Sequence, residues 1–227
     1  MLEIRNLTIL VNGRYIIKDL TLTLNKGDKL AIIGEEGNGK STLLKTILSM
    51  CDYGETEGTI NLKGSRIGYL EQVISEDNLN KKVYDYLFNS EEDYYNKISE
   101  LYKHLELFNL GDEILEQRIM SLSGGEKVKV NILKLLLEKF DILFLDEPTN
   151  DLDIETLEWL EKFINNTSKP IIYVSHDESL LSNTANMILH LEQIKGKTDC
   201  RYTLLKINYD TYVSKRLRMI NKQRQVA

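Results

Sequence analysis

Residues Gly34-Glu35-Glu36-Gly37-Asn38-Gly39-Lys40-Ser41 fit the pattern G-x-x-x-x-G-K-[ST]. Phosphate binding calls for these residue types. Glycines let backbone N–H groups wrap closely around phosphate oxygens, and a helix N-terminus adds partial positive charge. Lys40 can reach β- and γ-phosphates, the Ser41 hydroxyl can bind Mg²⁺, and Thr42 can add a phosphate contact. A second group, Asp146-Glu147, ends the apolar run 142–145. An aspartate there can hold Mg²⁺ through water, and the glutamate beside it can polarise an attacking water for in-line displacement. A third group, Leu122-Ser123-Gly124-Gly125-Glu126, precedes Val128, Ile132, Leu135 and Leu136 on one helical face. Ser123 and Glu126 have the spacing of a capping box. Capping needs no glycine, and each glycine in a helix costs about 1 kcal/mol relative to alanine. Gly124 and Gly125 therefore point to bare N–H groups offered to a phosphate.

The elements that must position these groups follow from apolar spacing. Residues 30–33, Leu-Ala-Ile-Ile, are uniformly apolar and end at Gly34, which suits a parallel strand buried on both faces. Leu43, Leu44, Ile47 and Leu48 then repeat at helical spacing. The chain thus runs strand, glycine-rich loop, helix. Two further apolar runs, 142–145 and 171–174, end in Asp146-Glu147 and Ser175-His176. Three buried strands with reactive residues at their C-terminal ends imply an open α/β sheet, whose ligands bind outside those ends. Earlier, Leu2, Ile4 and Leu7 alternate, Asn12-Gly13 marks a hairpin turn, and Leu20, Leu22 and Leu24 form a second half-buried strand. Residues 59–72 read as short strands with a turn at Gly64. Residues 77–122 are charged, tyrosine-rich and helical, with Ile98, Leu101, Tyr102 and Leu105 on one face. The tyrosines there have acidic neighbours, so they read as core and rim packing.

The 227 residues suffice for a sizeable core, and the 42% hydrophobic and 28% charged content excludes collagen-like and largely disordered chains. No apolar run approaches the roughly 20 residues of a membrane helix, and the N-terminus has no secretory pattern. Cys51 and Cys200 have no ligand or redox spacing, which implies two free thiols in a reducing cytosol. The net charge of −6 argues against nucleic-acid binding over the whole surface. It divides unevenly, with −11 on residues 1–205 and +5 on 206–227. A basic tail on an acidic body implies that the tail has its own task.

Taken in order, the phosphate loop, Leu-Ser-Gly-Gly-Glu about 80 residues later, Asp-Glu-Pro-Thr-Asn-Asp-Leu-Asp at 146–153 and Ser175-His176 resemble the ATP-binding cassette (ABC) ATPases. The resemblance spans residues 1–190 and is strongest to the ABC-F subfamily, which lacks transmembrane domains and acts on the ribosome. The Glu-Pro-Thr-Asn-x-Leu-Asp string, the short helical segment and the basic tyrosine-containing tail carry that refinement. It implies an α/β P-loop NTPase fold with a mixed, mostly parallel core sheet, a small antiparallel β subdomain and a helical subdomain. The cassette would occupy 1–205, with the helical subdomain inserted at about 77–137, and 206–227 would begin an inter-cassette linker.

By the same resemblance, residues 34–42 bind ATP, and Ser41, Gln72 and Asp146 serve Mg²⁺. Glu147 is the catalytic glutamate and His176 touches the γ-phosphate. Asp151 and Asp153 cross a dimer seam. Ser123, Gly124 and Gly125 bind the γ-phosphate of ATP held by another cassette. The family stacks an aromatic ring on adenine early in the chain. That position falls at Val11 here, and Tyr15 is the nearby aromatic candidate. The family's Gly-Asn-Tyr near the tail is replaced by Ile207-Asn208-Tyr209-Asp210-Thr211-Tyr212.

One cassette cannot bring its own phosphate loop and signature loop together, so the resemblance implies two cassettes around two ATPs. Tyr209, Val213, Leu217 and Ile220 form a helical stripe that runs on towards Ala227, as in the N-terminal half of a longer protein. The leading expectation is a cytoplasmic ATPase whose closure on ATP drives binding to ribosomal RNA through the tail, in translation or antibiotic resistance. The alternatives are the ATP-binding subunit of an ABC membrane transporter and a nucleotide-sensing module without turnover.

Overall fold

The computed structural model describes residues 1–49, 54–70, 74–150, 152–193 and 199–226. Strands β1 (Leu2–Val11) and β2 (Arg14–Leu24) pair antiparallel around Asn12-Gly13. Both turn residues take positive φ, 51° and 74°, as a tight hairpin turn demands. After β3 (Lys29–Ile33) and α1 (Lys40–Ile47), β4 (Glu55–Asn61) joins the other edge of β1 and completes a three-stranded sheet.

The second sheet has six strands. Besides β3 it contains β5 (Ile67–Leu70), β6 (Ile142–Asp146), β7 (Ile171–Val174), β8 (Met187–Gln193) and β9 (Cys200–Leu205), in the order β5-β6-β7-β3-β8-β9. All pairs are parallel except β8 with β9. The short strands around Gly64 are therefore not partners: β4 and β5 belong to different sheets.

Helices α2 (Glu76–Leu79), α3 (Val83–Leu87) and α4 (Glu91–Leu107) lead through two 3₁₀ turns to α5 (Gly124–Glu138). Helices α6 (Ile154–Asn166), α7 (Glu178–Thr184) and α8 (Tyr209–Val226) follow later in the chain. On α4, Leu101 and Leu105 are buried, whereas Tyr102 turns outward.

Strand alternation divides the core into two layers. Leu30 and Ile32, Ile142 and Phe144, and Ile172 and Val174 face the three-stranded sheet and α1. Ala31, Leu143, Leu145, Ile171 and Tyr173 face α4 to α7. Burial on both faces explains why β3, β6 and β7 read as unbroken apolar runs. Among the described residues, no helix is long and apolar enough to cross a membrane.

Candidate functional site

Sheet register sets the site. Ile32 of β3 pairs with Val174 of β7, which pairs with Asp146 of β6. One step beyond this common edge lie Ile33-Gly34, Ser175-His176 and Glu147. The phosphate loop continues from β3 into α1. Gly39 is the N-cap of α1, with φ 86° and no side-chain cap. A Cβ there would stand 2.5 Å from the Ile16 side chain, so the close approach of loop and β2 requires glycine. Helices α4, α5, α6 and α7 each carry a side-chain cap, from Ser90, Ser123, Asp153 and Asp177. At α1, as at the short α2 and α3, no side chain caps the first turn, and N–H groups at such an end can bind a phosphate.

Lys40 is buried. Its Nζ donates to the carbonyls of Gly34 (2.9 Å) and Glu35 (3.1 Å). Burial pushes its pKa down, against the opposing pull of Glu147, Glu36 and Asp146. Ser41 Oγ donates to Asp146 Oδ1 at 2.9 Å, and Asp146 is itself buried. A hydroxyl beside a carboxylate is a hard-oxygen donor set that suits Mg²⁺.

Glu147 takes φ 48°, a conformation rare for a residue with a side chain. Its N–H donates to the Val174 carbonyl at 3.0 Å, and its Oε1 lies 3.3 Å from His176 Nε2. Burial raises the Glu147 pKa, although His176 and Lys40 pull it down.

Lys40, Ser41, Glu147 and His176 border one cleft of about 700 Å³, with Asp146 buried behind Ser41, within the size range of ligand sites. It is lined by Glu36, Gly37, Gly39, Lys40, Ser41, Thr42, Glu147 and His176 together with Ile16, Thr149, Asn150 and Asp177. The first eight are sequence-predicted. Gly34 and Glu35 border an adjoining cleft of about 480 Å³, beside His176 and the start of α8. Asn38 is buried, and its Nδ2 donates to the Leu191 carbonyl at 3.0 Å.

Tyr15 does not line the 700 Å³ cleft; its neighbour Ile16 does. Successive β2 residues face opposite ways, and the Tyr15 ring lies under Lys18 Nζ at 4.8 Å. Val11 packs against the core layer below the three-stranded sheet. No sequence signal singled out Ile16, because a β-strand isoleucine reads as ordinary core. Thr149 and Asn150 entered the sequence reading only within the Glu-Pro-Thr-Asn string, and Asp177 was legible only as the neighbour of His176.

Ser123, Gly124 and Gly125 lie at the N-terminus of α5 and do not line the cleft. The capping box is formed: Glu126 N donates to Ser123 Oγ at 3.2 Å, and Ser123 N donates to Glu126 Oε2 at 2.8 Å. Gly125 also has a packing reason, since a Cβ there would stand 2.3 Å from Thr156 Oγ1 of α6. Asp153 caps α6 through the Thr156 N–H at 2.8 Å. Gln72, Asp151 and Cys51 lie outside the described residues, and Cys200 is a free, half-buried thiol.

The family described as ABC transporter matches residues 17–150. The ATP-binding protein Uup of Buchnera aphidicola subsp. Acyrthosiphon pisum is 37% identical over 200 residues, which cover 84% of this chain and 32% of that protein. Uup of Escherichia coli is 34% identical, over 80% of this chain and 29% of its own length. Elongation factor 3 of Pneumocystis carinii is 33% identical, over 82% of this chain and 17% of its own. The chain thus spans about a third or less of these relatives.

Among solved structures, a nucleotide-free ATP-binding cassette from an ABC transporter superposes with a TM-score of 0.70 at 17% identity, covering 84% of this chain and 87% of that one. A dimeric cassette in a post-hydrolysis state, bound to ADP and Pi, superposes with a TM-score of 0.64 at 22% identity, covering 84% and 94%. At these identities the likeness establishes the fold. With the family match and these relatives, the chain belongs to the ATP-binding cassette family, on the ABC-F branch with Uup and elongation factor 3.

Proposed function

We propose that this chain binds ATP with Mg²⁺ in the Lys40 cleft and hydrolyses it in a head-to-tail sandwich with a second cassette. The observation that carries the reading is the convergence of Lys40, the Ser41–Asp146 pair and the Glu147–His176 pair on one sheet edge. Lys40 and the uncapped N-terminus of α1 neutralise the phosphates. Ser41 and Asp146 hold Mg²⁺, with Gln72 as a third candidate; the bound ion supplies charge neutralisation across the phosphates. Glu147 orients the attacking water and takes its proton, and burial makes it a stronger base than an exposed carboxylate. His176 steadies Glu147 and faces the γ-phosphate. Ile16 offers the adenine an aliphatic surface in place of an aromatic one.

Ser123, Gly124 and Gly125 sit away from this cleft. That supports a role at the ATP of the partner cassette, whether a second copy or a second unit of a longer chain. We further assign the chain to residues 1–205 as cassette and 206–227 as the start of a linker. The relatedness to elongation factor 3 and the basic tail support work on the ribosome, in the cytoplasm, through ribosomal RNA. Antibiotic resistance is one form such work takes.

Two measurements test the reading. Phosphate release from ATP and Mg²⁺ should fall at least about 100-fold in Lys40→Ala and in Glu147→Gln. Glu147→Gln in ATP should co-sediment with ribosomes, and equal recovery without ATP would refute the ribosomal part.

A further inference from the structure

Two residues outside the cleft hold the phosphate loop from behind. Arg14 is the first residue of β2, just past the hairpin turn, and pairs with Val11. Its guanidinium forks. The Nη2 donates to the Gly37 carbonyl at 2.9 Å, and the Nε donates to Gln193 Oε1 at 2.8 Å. Gln193 is the last residue of β8, and its Nε2 donates to the Tyr15 carbonyl at 3.1 Å. The peptide between Gly37 and Asn38 is thus pinned at both ends, because the Asn38 N–H donates to the Glu35 carbonyl at 3.2 Å. Two residues back along β8, the Leu191 carbonyl accepts from Asn38 Nδ2.

The pattern follows strand alternation. The Leu191 side chain packs in the core layer below the three-stranded sheet, and Gln193, two residues on, reaches Arg14 of that sheet, while His190 and Glu192 turn to Tyr212 and Arg216 of α8. Among the described residues, Arg14 is the one cation that ties the loop to both sheets at once, since β2 and β8 belong to different ones. A lysine would do this less well. Its single ammonium lacks the planar fork that reaches two acceptors at fixed angles.

We propose that Arg14, seated by Gln193, is a positioning residue of the nucleotide site. It fixes the Gly37 peptide so that the loop is already shaped before the phosphates arrive. Shaping in advance spares the ligand the ordering cost of a glycine-rich segment. Arg14 does not line the cleft, so it acts through the loop and not on the nucleotide. This inference rests on the proposed ATP site.

The test is calorimetric titration of the 227-residue chain with MgATP and with MgADP. Arg14→Ala should weaken both by about tenfold, the loss expected for one hydrogen bond from a charged donor. The two nucleotides should lose equally, because Gly37 is held whatever the phosphate number. Gln193→Ala should weaken both by about threefold. Combined with Arg14→Ala it should add nothing, because the two residues act as one bracket. Arg14→Lys should keep most of the loss, and in turnover KM should rise while kcat stays.

Unchanged binding in Arg14→Ala, additive losses, or full recovery with lysine would overturn the proposal. Circular dichroism melting checks folding, and should Arg14→Ala not fold, Gln193→Ala carries the test alone. A wild-type chain that fails to bind MgATP would refute the ATP site itself and this inference with it. Wild-type binding that is lost in Lys40→Ala but indifferent to Arg14 would refute only the bracket.

Discussion

In its proposed role, Glu147 meets two opposed demands. A carboxylate that orients water must be ionised, yet burial beside Asp146 penalises its charge and raises its pKa. The consequence for stability has a definite sign. Between 4.5 and the raised native value, the folded chain holds a proton that the unfolded chain has released, so stability falls as pH rises through that window. Above the window the full cost is present; below 4.5 it vanishes. Glu147→Gln removes the charge and keeps the shape. The variant should therefore melt about one to three degrees higher than the wild type at pH 7, and the gap should close at pH 4. Turnover should be abolished in the same protein. Melting curves at the two pH values check this, and a variant less stable at pH 7 would contradict it. In the wild type, the acid limb of the pH–rate profile should lie above the ordinary glutamate range.

At the scale of elements, the strands that build the site were the most legible. β3, β6 and β7 are buried on both faces, so their apolar runs needed no knowledge of the partners. β8 and β9 were not read as strands; in β8 polar residues interrupt the apolar pattern. His190, Glu192 and Gln193 are polar since they meet α8 and Arg14. The exchange of Tyr15 for Ile16 at the cleft has the same origin, since alternation along β2 leaves open which face meets α1.

The two glycines after Ser123 were read as bare N–H groups for a phosphate, but Gly125 also lets α5 approach α6. Gly125→Ala gains helix propensity of about 1 kcal/mol. Against that stands the contact with Thr156, a branched and buried side chain, and overpacking costs about 1–3 kcal/mol. The clash should win, lowering the melting temperature by about 2–4 °C. Thr156→Ala in that background should restore part of the loss. Melting without nucleotide isolates this packing from any role at the phosphate, and an unchanged or higher melting point would remove it.

At the scale of the whole molecule, the +5 tail is less free than its composition suggests. Lys206 pairs with Asp28 at 2.7 Å, and Arg216 makes a two-pronged contact with Glu192. Tyr212, absent from the Tyr209–Val213–Leu217 stripe, is buried and bonds His190. The first turns of α8 thus pack against the preceding residues, and Lys215 and Arg218 are the outward cations among its described side chains. The same scale decides whether the chain turns over alone. The Lys40 cleft and the Ser123 turn occupy different places on one body, so the sandwich proposed above needs a turn from elsewhere. For separate copies, mass action makes the paired form grow as the square of concentration while pairs are scarce. Phosphate release per volume should then rise about fourfold for each doubling of protein, and should become linear once pairing saturates. Adding Ser123→Arg chains, which keep the Lys40 cleft, to Lys40→Ala chains, which keep the turn, should restore one working site per mixed pair. Strictly linear release at the lowest concentrations, with no rescue on mixing, would show that a single copy hydrolyses ATP unaided.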